Sequence, residues 1–483
     1  MNEQVSKRKV AGSLIWKTLE KIFVQGVNLL VQIVLARILL PDDFGNLAII
    51  VAITNYAAIF VQSGISTAII QRKDINGKDI STLFLSSMGF ALLLYVILFF
   101  ASPLISSIYK TDQLIWPLRV LSLILFLNSI NAVQTGIYSR NMEFKKIFLR
   151  SIIAVPVSGM VGILLAIGGY GIWSLVVHNL LNMFIIVIVM AFDRKIWFKI
   201  SFSISSFKKM YSFTGKIILT GIITGGGDLI RTLLIGKKYS SEDLAYYDKA
   251  YTYSGYATQI VGQSISSVMI APFSRLQDDK EELKKMARKS IVASAFVMFP
   301  ILLGIASVAK PLIIVLLTDK WLPSYQFLML FCVLRMPSFI SNVDKHVYYA
   351  LGKSEINLFY EIAYLIFNIG VLFFTIQLGT IYIALGVTLA EWIGCFILFL
   401  ISYKTYGYSF LERFKDLWKP LLNSCVVFLA SYFIGMINLN IYIKLFIQII
   451  MGVLAYFLMI FLTKDKTYVS IINLFKKRRR YKE

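Results

Sequence analysis

The sequence predicts an all-α integral membrane protein with about fourteen transmembrane helices. Only 16% of its 483 residues are charged and 58% are hydrophobic, whereas a soluble domain carries about 25% charged residues. Apolar stretches of about 20 residues, the length that crosses a bilayer core, recur along the whole chain. Because so few charges cannot cover a globular surface, the composition excludes a soluble enzyme, a disordered tail and a secreted disulfide scaffold.

The apolar stretches predict the membrane spans in order, with short connections that leave no room for an inserted soluble domain. The start of the chain, MNEQVSKRKV, has no signal-peptide core or cleavage site, so we expect the first span to remain as an anchor. The predicted spans lie near 14–36, 45–68, 82–101, 114–137, 148–167, 172–192, 213–236, 244–270, 290–310, 324–343, 357–378, 381–402, 420–436 and 441–462.

The basic residues predict how the spans are oriented. The chain has 49 Lys and Arg residues and a formal net charge of +23. When the connections are sorted alternately, 34 of the 49 fall on the side of the two termini, six on the opposite side and nine inside spans. By the positive-inside rule, both termini are cytoplasmic and the number of spans is even. The KKRRR run at 476–480 is expected to lie against anionic lipid, so the charge requires no nucleic-acid partner.

The reactive side chains form no catalytic pattern. Cys332, Cys395 and Cys425 fall within apolar spans, where we expect buried free thiols. His178 and His346 lie on different segments, without metal-ligand spacing around them. The sequence contains neither a P-loop nor a nucleophile elbow. We therefore expect no enzymatic activity, no metal site and no bound cofactor.

An internal repeat divides the chain. A shift of 200 residues places Asn28 on Asp228, and a shift of 210 places the run GYGIWSL (169–175) on GTIYIAL (379–385). Because six spans is an even number, both halves enter the membrane from the same side and are related by an axis along the membrane normal. The predicted parts are a first half at 1–204 with spans 1–6, a second half at 205–405 with spans 7–12, and a C-terminal part at 406–483 with the last two spans and the basic tail.

Ionisable residues inside the spans are the candidate functional residues, because a charge near the bilayer centre costs several kcal/mol. Arg335 and Glu391 lie about ten residues from a span end, roughly 15 Å deep, and need a polar cavity. Four others lie within two turns of an end, where we expect the side chain to reach the interface: Arg119, Arg150, Asp248 and Lys444. The remaining candidates are Lys17, Glu20, Lys21, Lys216, Asp228, Arg231, Lys249 and Glu361.

Two charged pairs are distinguished by their spacing. Asp228 and Arg231 are three residues apart and share a helix face, so they either neutralise each other as a structural ion pair or line a site. Lys17 and Lys21 are four residues apart, which places two positive charges on one face and favours an acidic neighbour or a bound anion. The three glycines at 225–227 predict a bend or a close helix approach beside Asp228.

Three segments carry a resemblance to a known family. They are SLIWKTLEKIFVQGVNLLVQIVLARILLPDDFGNLAI at 13–49, GISTAIIQRKDI at 64–75 and YSRNMEFKKI at 138–147. With its two halves of six spans and its basic tail, the chain resembles the bacterial polysaccharide transporter family, the Wzx-type flippases of O-antigen, capsule and exopolysaccharide precursors. That family lies within the multidrug/oligosaccharidyl-lipid/polysaccharide exporter superfamily. The match extends over essentially the whole chain.

The resemblance implies both a fold and a function. It implies two six-helix lobes around a V-shaped central cavity that opens alternately to each side, followed by two C-terminal helices. The implied substrate is an undecaprenyl-pyrophosphate-linked oligosaccharide, flipped across the bacterial inner membrane for surface polysaccharide synthesis. The implied partners are this glycan, membrane lipids, and the polymerase and glycosyltransferases of the same pathway.

A cation-lined cavity would replace the solvation that the pyrophosphate and the sugars lose in the membrane. On this interpretation six cations contact the substrate: Lys17, Lys21, Lys216, Arg231, Lys249 and Arg335. Four carboxylates are candidates for coupling to H⁺ or Na⁺: Asp228, Glu391, Glu20 and Glu361. One charge that moves through 100 mV supplies about 2.3 kcal/mol.

Other functions fit the sequence to different degrees. A multidrug exporter of the same architecture should have an acidic and aromatic cavity, whereas nine Lys or Arg residues lie in these spans. A lipid II flippase is chemically nearer and stays open as an alternative. A polymerase or ligase would carry its chemistry on a large external loop, and the predicted connections are too short for one.

Overall fold

A computed structural model of the chain describes residues 7–72, 74–193, 199–276 and 279–463. Within these ranges the regular structure is helical, which confirms the predicted fold class. The chain folds as two compact units, Met1–Ala245 and Tyr246–Glu483.

The helices of the first unit follow the predicted spans. The fourth predicted span is divided, because a 3₁₀ turn at Asp112–Leu114 leads into a short helix that ends before the main helix begins. The helices are α1 Lys7–Ile38, α2 Pro41–Gln62, α3 Ile65–Gln71, α4 Gly77–Tyr109, α5 Ile115–Leu121, α6 Ile124–Arg140, α7 Phe144–Ile167, α8 Ile172–Ala191 and α9 Ile204–Lys238.

The second unit is also built from long helices. Its first helix begins just before the boundary between the units, and a 3₁₀ turn at Asp319–Trp321 precedes α13. The helices are α10 Ser241–Arg275, α11 Lys280–Ser307, α12 Ala309–Leu317, α13 Ser324–Ala350, α14 Ser354–Thr375, α15 Thr380–Tyr406, α16 Phe410–Gly435 and α17 Ile441–Thr463.

Thirteen stretches of the described residues are long and apolar enough to cross a membrane, from Ile15–Ile38 to Ile441–Thr463. The predicted span at 244–270 coincides with α10, a helix of 35 residues that is not among these thirteen. The chain is therefore a multi-pass membrane protein, and the number fourteen stays a prediction.

Helix capping recurs at the spacing of the sequence repeat. At the start of α2, the Asp43 carboxylate accepts a hydrogen bond from the backbone N–H of Leu40 at 3.3 Å. At the start of α10, 200 residues later, Asp243 accepts from the N–H of Ser240, also at 3.3 Å. A carboxylate in the first turn satisfies a free N–H group and stabilises the positive end of the helix dipole. The same local structure thus follows from the acidic pairs that the sequence repeat aligns.

The compact units of the structure divide the chain at a different place from the sequence repeat, because of how α9 packs. α1 packs against α7, whereas α9, its counterpart in the repeat, packs against α2, α4 and α3. α9 opens the second half predicted at 205–405, yet it lies in the unit Met1–Ala245. The sequence division at 204 stays a prediction, and the compact units divide after α9.

In the second unit, α11 packs against both α13 and α16, and α16 packs against α17. Cys332 and Cys395 are buried there as predicted, but Cys425 on α16 is exposed, so the prediction of a buried thiol was wrong. The buried residues of α16 follow a helical stripe through Pro420, Ser424 and Val427. Cys425 lies about 100° of helix rotation away from Ser424 and falls outside that stripe.

Candidate functional site

One face of α1 is polar over half of the helix. Lys17, Lys21, Gln25, Asn28 and Gln32 are spaced by three or four residues, and each is exposed or half-buried. This spacing keeps them within roughly 80° of arc and extends the polar face for roughly 22 Å. The two lysines were predicted as site residues. The three amides were missed, although they continue the same spacing.

The polar face of α1 is separate from its lipid-type face. Ile15, Leu19, Ile22 and Leu30 are exposed apolar residues on another side of the helix. An apolar surface is what a membrane helix presents to lipid, whereas polar side chains in a span face protein, water or a polar ligand. The polar face of α1 is therefore suited to contact a polar substrate.

Glu20 projects from the side of α1 that meets α7. The Ser151 hydroxyl on α7 donates a hydrogen bond to Glu20 Oε1 at 3.2 Å. The Lys17 ammonium lies 5.7 Å from the centroid of the Phe144 ring, within cation–π range, and its side chain remains exposed. The carboxylate is thus held by α7, while Lys17 and the half-buried Lys21 carry positive charge on the polar face.

Arg150 on α7 is buried, so the prediction that it reaches the membrane interface was wrong. Only 6% of the residue is exposed. Its Nη1 donates to Asn131 Oδ1 at 2.8 Å, and its Nη2 donates to Thr135 Oγ1 at 3.1 Å. The prediction used only the distance of Arg150 from the end of its span, and that distance does not show whether the side chain faces lipid or another helix. Here α7 turns the guanidinium towards polar acceptors on α6.

α9 carries a second polar face. Thr220, Thr224 and Asp228 are four residues apart and exposed. Arg231 Nη2 lies 2.5 Å from Asp228 Oδ1, with the arginine side chain 12% exposed and the carboxylate 61% exposed. The predicted ion pair therefore forms, and it leaves the acid as the more accessible partner. Lys216 lies on α9, but its side chain is outside the described residues.

Two predicted cations of the second unit pack against aromatic rings. Arg335 Nη2 donates to the backbone carbonyl of Tyr251 at 3.2 Å. The Arg335 guanidinium also lies 4.4 Å from the centroid of the Tyr251 ring. Lys249 is only 5% exposed, with its Nζ 5.8 Å from the Tyr253 ring and 6.0 Å from the Trp321 ring. Arg335 thereby ties α13 to α10. Contact of these two cations with substrate stays a prediction.

The predicted carboxylates of the second unit differ in their partners. Glu391 accepts hydrogen bonds from two neutral hydroxyls, Ser338 on α13 at 3.1 Å and Tyr364 on α14. Glu361 forms an ion pair with Lys345 Nζ at 2.6 Å. That partner was missed because Lys345 was counted in a basic loop, whereas it lies in α13. Lys345 neutralises Glu361, whereas the partners that donate hydrogen bonds to Glu391 among the described residues are uncharged hydroxyls.

A buried ion pair of the second unit was also missed. Arg413 donates to both oxygens of Asp344, at 2.9 and 3.1 Å, and Tyr406 donates to the same carboxylate at 2.5 Å. The arginine side chain is 1% exposed and the aspartate 0%. The only sign of this pair in the sequence was Asp344, an acidic residue at the edge of a predicted apolar span. Its partner Arg413 lies 69 residues away along the chain. This pair joins α13 to α16.

Further charges continue this connection towards α11. Arg288 on α11 donates through Nε and Nη2 to the two oxygens of Asp416, each at 2.8 Å. Tyr408, in the turn before α16, donates to Asp416 at 2.7 Å. Burial is the main cause that raises the pKa of the Tyr408 phenol well above its ordinary value, and this hydrogen bond is the second.

Within the part of the chain that the structure describes, no group of three or more His, Cys, Asp or Glu side chains could hold a metal ion.

An apolar cavity of about 510 Å³ lies in the second unit between α11, α12, α16 and α17. Its walls include Pro300, Gly304 and Val427. Ser431 and Gln448 also line it, and Gln448 Nε2 is already bonded to the carbonyl of Ser431 at 2.8 Å. The cavity therefore offers mostly hydrocarbon surface.

Comparison with known proteins decides the family of this membrane chain. Residues 34–326 match the family described as "Polysaccharide biosynthesis protein", which is more than half of the chain. The chain belongs to the polysaccharide biosynthesis protein family. The family resemblance expected from the three sequence segments is confirmed.

Relatives of this polysaccharide biosynthesis protein extend the match. It is 24% identical over 439 residues to the lipopolysaccharide biosynthesis protein WzxC of Escherichia coli (strain K12), covering 89% of this chain and 88% of the relative. It is 23% identical over 326 residues to the succinoglycan biosynthesis transport protein ExoT of Rhizobium meliloti (strain 1021), covering 66% of this chain and 65% of the relative.

A solved structure of the lipid II flippase MurJ in an inward closed conformation superposes with a TM-score of 0.78, covering 95% of this polysaccharide biosynthesis protein and 100% of the other chain. At 17% identity this likeness establishes the fold. A multidrug resistance MATE family transporter of the MOP superfamily has a similar fold, with a TM-score of 0.64 at 16% identity over 81% of this chain and 98% of the other. The expectation of a membrane transporter in place of an enzyme agrees with the relatives WzxC and ExoT, which are named for polysaccharide biosynthesis and transport.

Proposed function

We propose that this protein flips an undecaprenyl-pyrophosphate-linked oligosaccharide from the cytoplasmic to the outer leaflet of the bacterial inner membrane, for surface polysaccharide synthesis. The observation that carries the proposal is the cationic and amide-rich face of α1 in a membrane transporter of a polysaccharide biosynthesis family. The basic residues concentrated on one side of the predicted topology support cytoplasmic termini.

The polar face of α1 matches the chemistry of the polar part of this substrate. A pyrophosphate and a sugar lose hydrogen bonds with water when they enter a membrane, at a cost of several kcal/mol for each unpaired group. Lys17 and Lys21 offer two ammonium groups to the pyrophosphate at one end of the face. Gln25, Asn28 and Gln32 continue it with groups that donate and accept hydrogen bonds, as sugar hydroxyls require.

The prenyl chain requires a different surface. The cavity between α11, α12, α16 and α17 presents apolar walls, so an isoprenoid segment can lie there without loss of hydrogen bonds. In this proposal the cavity offers a place for part of the prenyl tail.

Glu391 is the proposed coupling carboxylate. Its partners are the hydroxyls of Ser338 and Tyr364, so gain or loss of a proton changes the net charge of this polar cluster. Glu361 is already neutralised by Lys345, Asp228 is paired with Arg231, and Glu20 is held by α7. One charge moved through 100 mV supplies about 2.3 kcal/mol, which is enough to bias an alternating transporter.

The test is complementation of cells that lack their own flippase, with surface polysaccharide and the lipid-linked intermediate on the inner leaflet measured together. The native chain should restore the polysaccharide and remove the intermediate. Lys17→Ala and Lys21→Ala should each reduce transport. Because a hydrogen bond to a charged group contributes about 1.5–3 kcal/mol, the expected reduction at limiting substrate is roughly tenfold to a hundredfold.

Lys285→Ala is the matched control, because it removes one positive charge from an exposed pair with Glu282 on α11. It should transport normally at equal expression. If Lys17→Ala and Lys21→Ala also restore the polysaccharide fully, the assignment of the head-group site to α1 fails. If the native chain clears lipid II from the inner leaflet and leaves the lipid-linked oligosaccharide in place, the chain is a lipid II flippase instead.

A further inference from the structure

Glu20 follows Lys17 by three residues on α1 and directly precedes Lys21, yet it is paired with neither lysine. Side chains three residues apart on a helix are neighbours, so α1 by itself would allow Glu20 to neutralise Lys17. Among the residues that the structure describes, neither Lys17 nor Lys21 forms an ion pair with a carboxylate. The polar face of α1 therefore keeps two positive charges, although an acid lies between them in the sequence.

A serine of α7 is the hydrogen-bond partner of this acid. The Ser151 hydroxyl lies 3.2 Å from Glu20 Oε1 and 3.1 Å from the carbonyl oxygen of Ile147. Of these two acceptors the carboxylate is the stronger one, because hydrogen bonds to charged groups are stronger than neutral ones. Ser151 is only 3% exposed, so bulk water does not compete for its proton. The Glu20 carboxylate is thus engaged with α7 and not with the lysines.

The residue beside Ser151 places a positive charge near the same carboxylate. Arg150 is buried, and within the described part of the chain its hydrogen-bond partners are uncharged: Asn131, Thr135 and the Met190 sulfur. Arg150 Nε is buried there without a hydrogen-bond partner. A buried charge whose partners are all neutral is costly, so it favours a negative charge nearby. Glu20 is the carboxylate whose charge acts on this guanidinium, and the attraction holds Glu20 on the α7 side.

We propose that Ser151 and Arg150 are positioning residues for the Glu20 carboxylate. By holding it on α7, they leave Lys17 and Lys21 together for one diphosphate group. The two lysines are four residues apart, which separates them by roughly 6 Å along the helix, a spacing that suits two adjacent phosphates. This inference rests on the proposed function, because it concerns the head-group site. It gives Glu20 a role other than coupling to H⁺ or Na⁺.

Binding of inorganic pyrophosphate to the purified protein in detergent, measured by isothermal titration calorimetry, tests the proposal without transport. Ser151→Ala releases Glu20, which can then approach Lys17. Because a negative charge about 5 Å from a bound anion opposes its binding, the Kd of pyrophosphate should rise by roughly threefold to tenfold. Ser158→Ala is the matched control and should bind like the native protein, because this buried serine of α7 donates to the Val155 carbonyl of its own helix.

Removal of the Glu20 charge distinguishes positioning from a general structural effect. Glu20→Gln alone should leave the Kd of pyrophosphate nearly unchanged, because the native carboxylate is already held away from the lysines. In Ser151→Ala/Glu20→Gln the Kd should return to the native value, since the released side chain no longer carries a negative charge. Arg150→Met should weaken binding in the same way, and addition of Glu20→Gln should restore it. Where Arg150→Met does not fold, the Ser151 variants decide alone.

Several results would overturn the proposal. They are a Kd for Ser151→Ala equal to that of the native protein, a weakened binding that Glu20→Gln does not restore, and a Glu20→Gln variant that binds much more tightly than the native protein. Absence of pyrophosphate binding by the native protein, or binding that survives Lys17→Ala/Lys21→Ala, overturns it as well, since α1 would then carry no such site. If the native chain moves no glycan in cells while the expected order of affinities holds, the proposed function fails and the positioning of Glu20 stands.

Discussion

Removal of the negative charge from the buried pair of Asp344 and Arg413 should strongly destabilise the second unit. Asp344→Asn keeps the shape of the side chain but leaves the guanidinium, whose side chain is 1% exposed, without a counter-ion. Asparagine offers one acceptor oxygen where the carboxylate accepted hydrogen bonds through both. Tyr406, which donates to the same carboxylate, loses part of its partner as well.

The expected loss follows from this burial. Removal of one partner of a buried ion pair costs about 3–5 kcal/mol, because the remaining charge stays desolvated. For a unit of roughly 150–250 residues, 1 kcal/mol corresponds to roughly 2–4 °C in unfolding temperature. Asp344→Asn should therefore lower the unfolding temperature by roughly 6–20 °C. An exposed pair contributes about 0–1 kcal/mol, so Lys285→Ala, at a pair 60% and 52% exposed, should shift it by a few degrees at most.

The assay is thermal unfolding of the purified protein in detergent, followed by intrinsic fluorescence. The double variant Asp344→Leu/Arg413→Met removes both charges together and should recover most of the loss, because a buried pair can often be replaced by apolar residues without destabilisation. If Asp344→Asn unfolds no earlier than Lys285→Ala, the reasoning from burial is refuted. If the double variant is as unstable as the single one, an uncompensated charge is not the cause.

Three more predictions concern other parts of the molecule. Glu391→Gln should fold normally and lose the dependence of transport on the proton or sodium gradient, measured as translocation with and without an ionophore; an unchanged gradient dependence contradicts the coupling role. Gly45→Ala should destabilise the first unit by about 1–3 kcal/mol or more, because an ideal Cβ would lie 1.8 Å from the carbonyl oxygen of Ser241; an unfolding temperature equal to that of the native protein contradicts this. Arg150→Ala should cost about 1.5–3 kcal/mol, because it removes charged hydrogen bonds to α6; a change no larger than that of an exposed lysine variant would mean that Arg150 is not held there.

The candidate site was predictable from the sequence only in part. Lys17 and Lys21 were found because a charge in an apolar span is conspicuous, and the Asp228–Arg231 pair was found because partners three residues apart on a helix are set by local geometry. Lys345 and Arg413 were assigned to loops and thereby lost as site residues. The partner of each lies on another helix: Glu361 on α14 is 16 residues from Lys345, and Asp344 on α13 is 69 residues from Arg413. No local sequence pattern encodes contacts at such separations.

The sequence by itself determined the all-α membrane fold and the approximate spans, because hydropathy over about 20 residues is a local property. The tertiary structure decided which face of each helix is packed. It buried Arg150 against α6, exposed Cys425, and placed α9 on α2, although the repeat groups α9 with the second half. The physical reason is that helices in a membrane are equally apolar around much of their surface. Only close packing between particular side chains selects their neighbours.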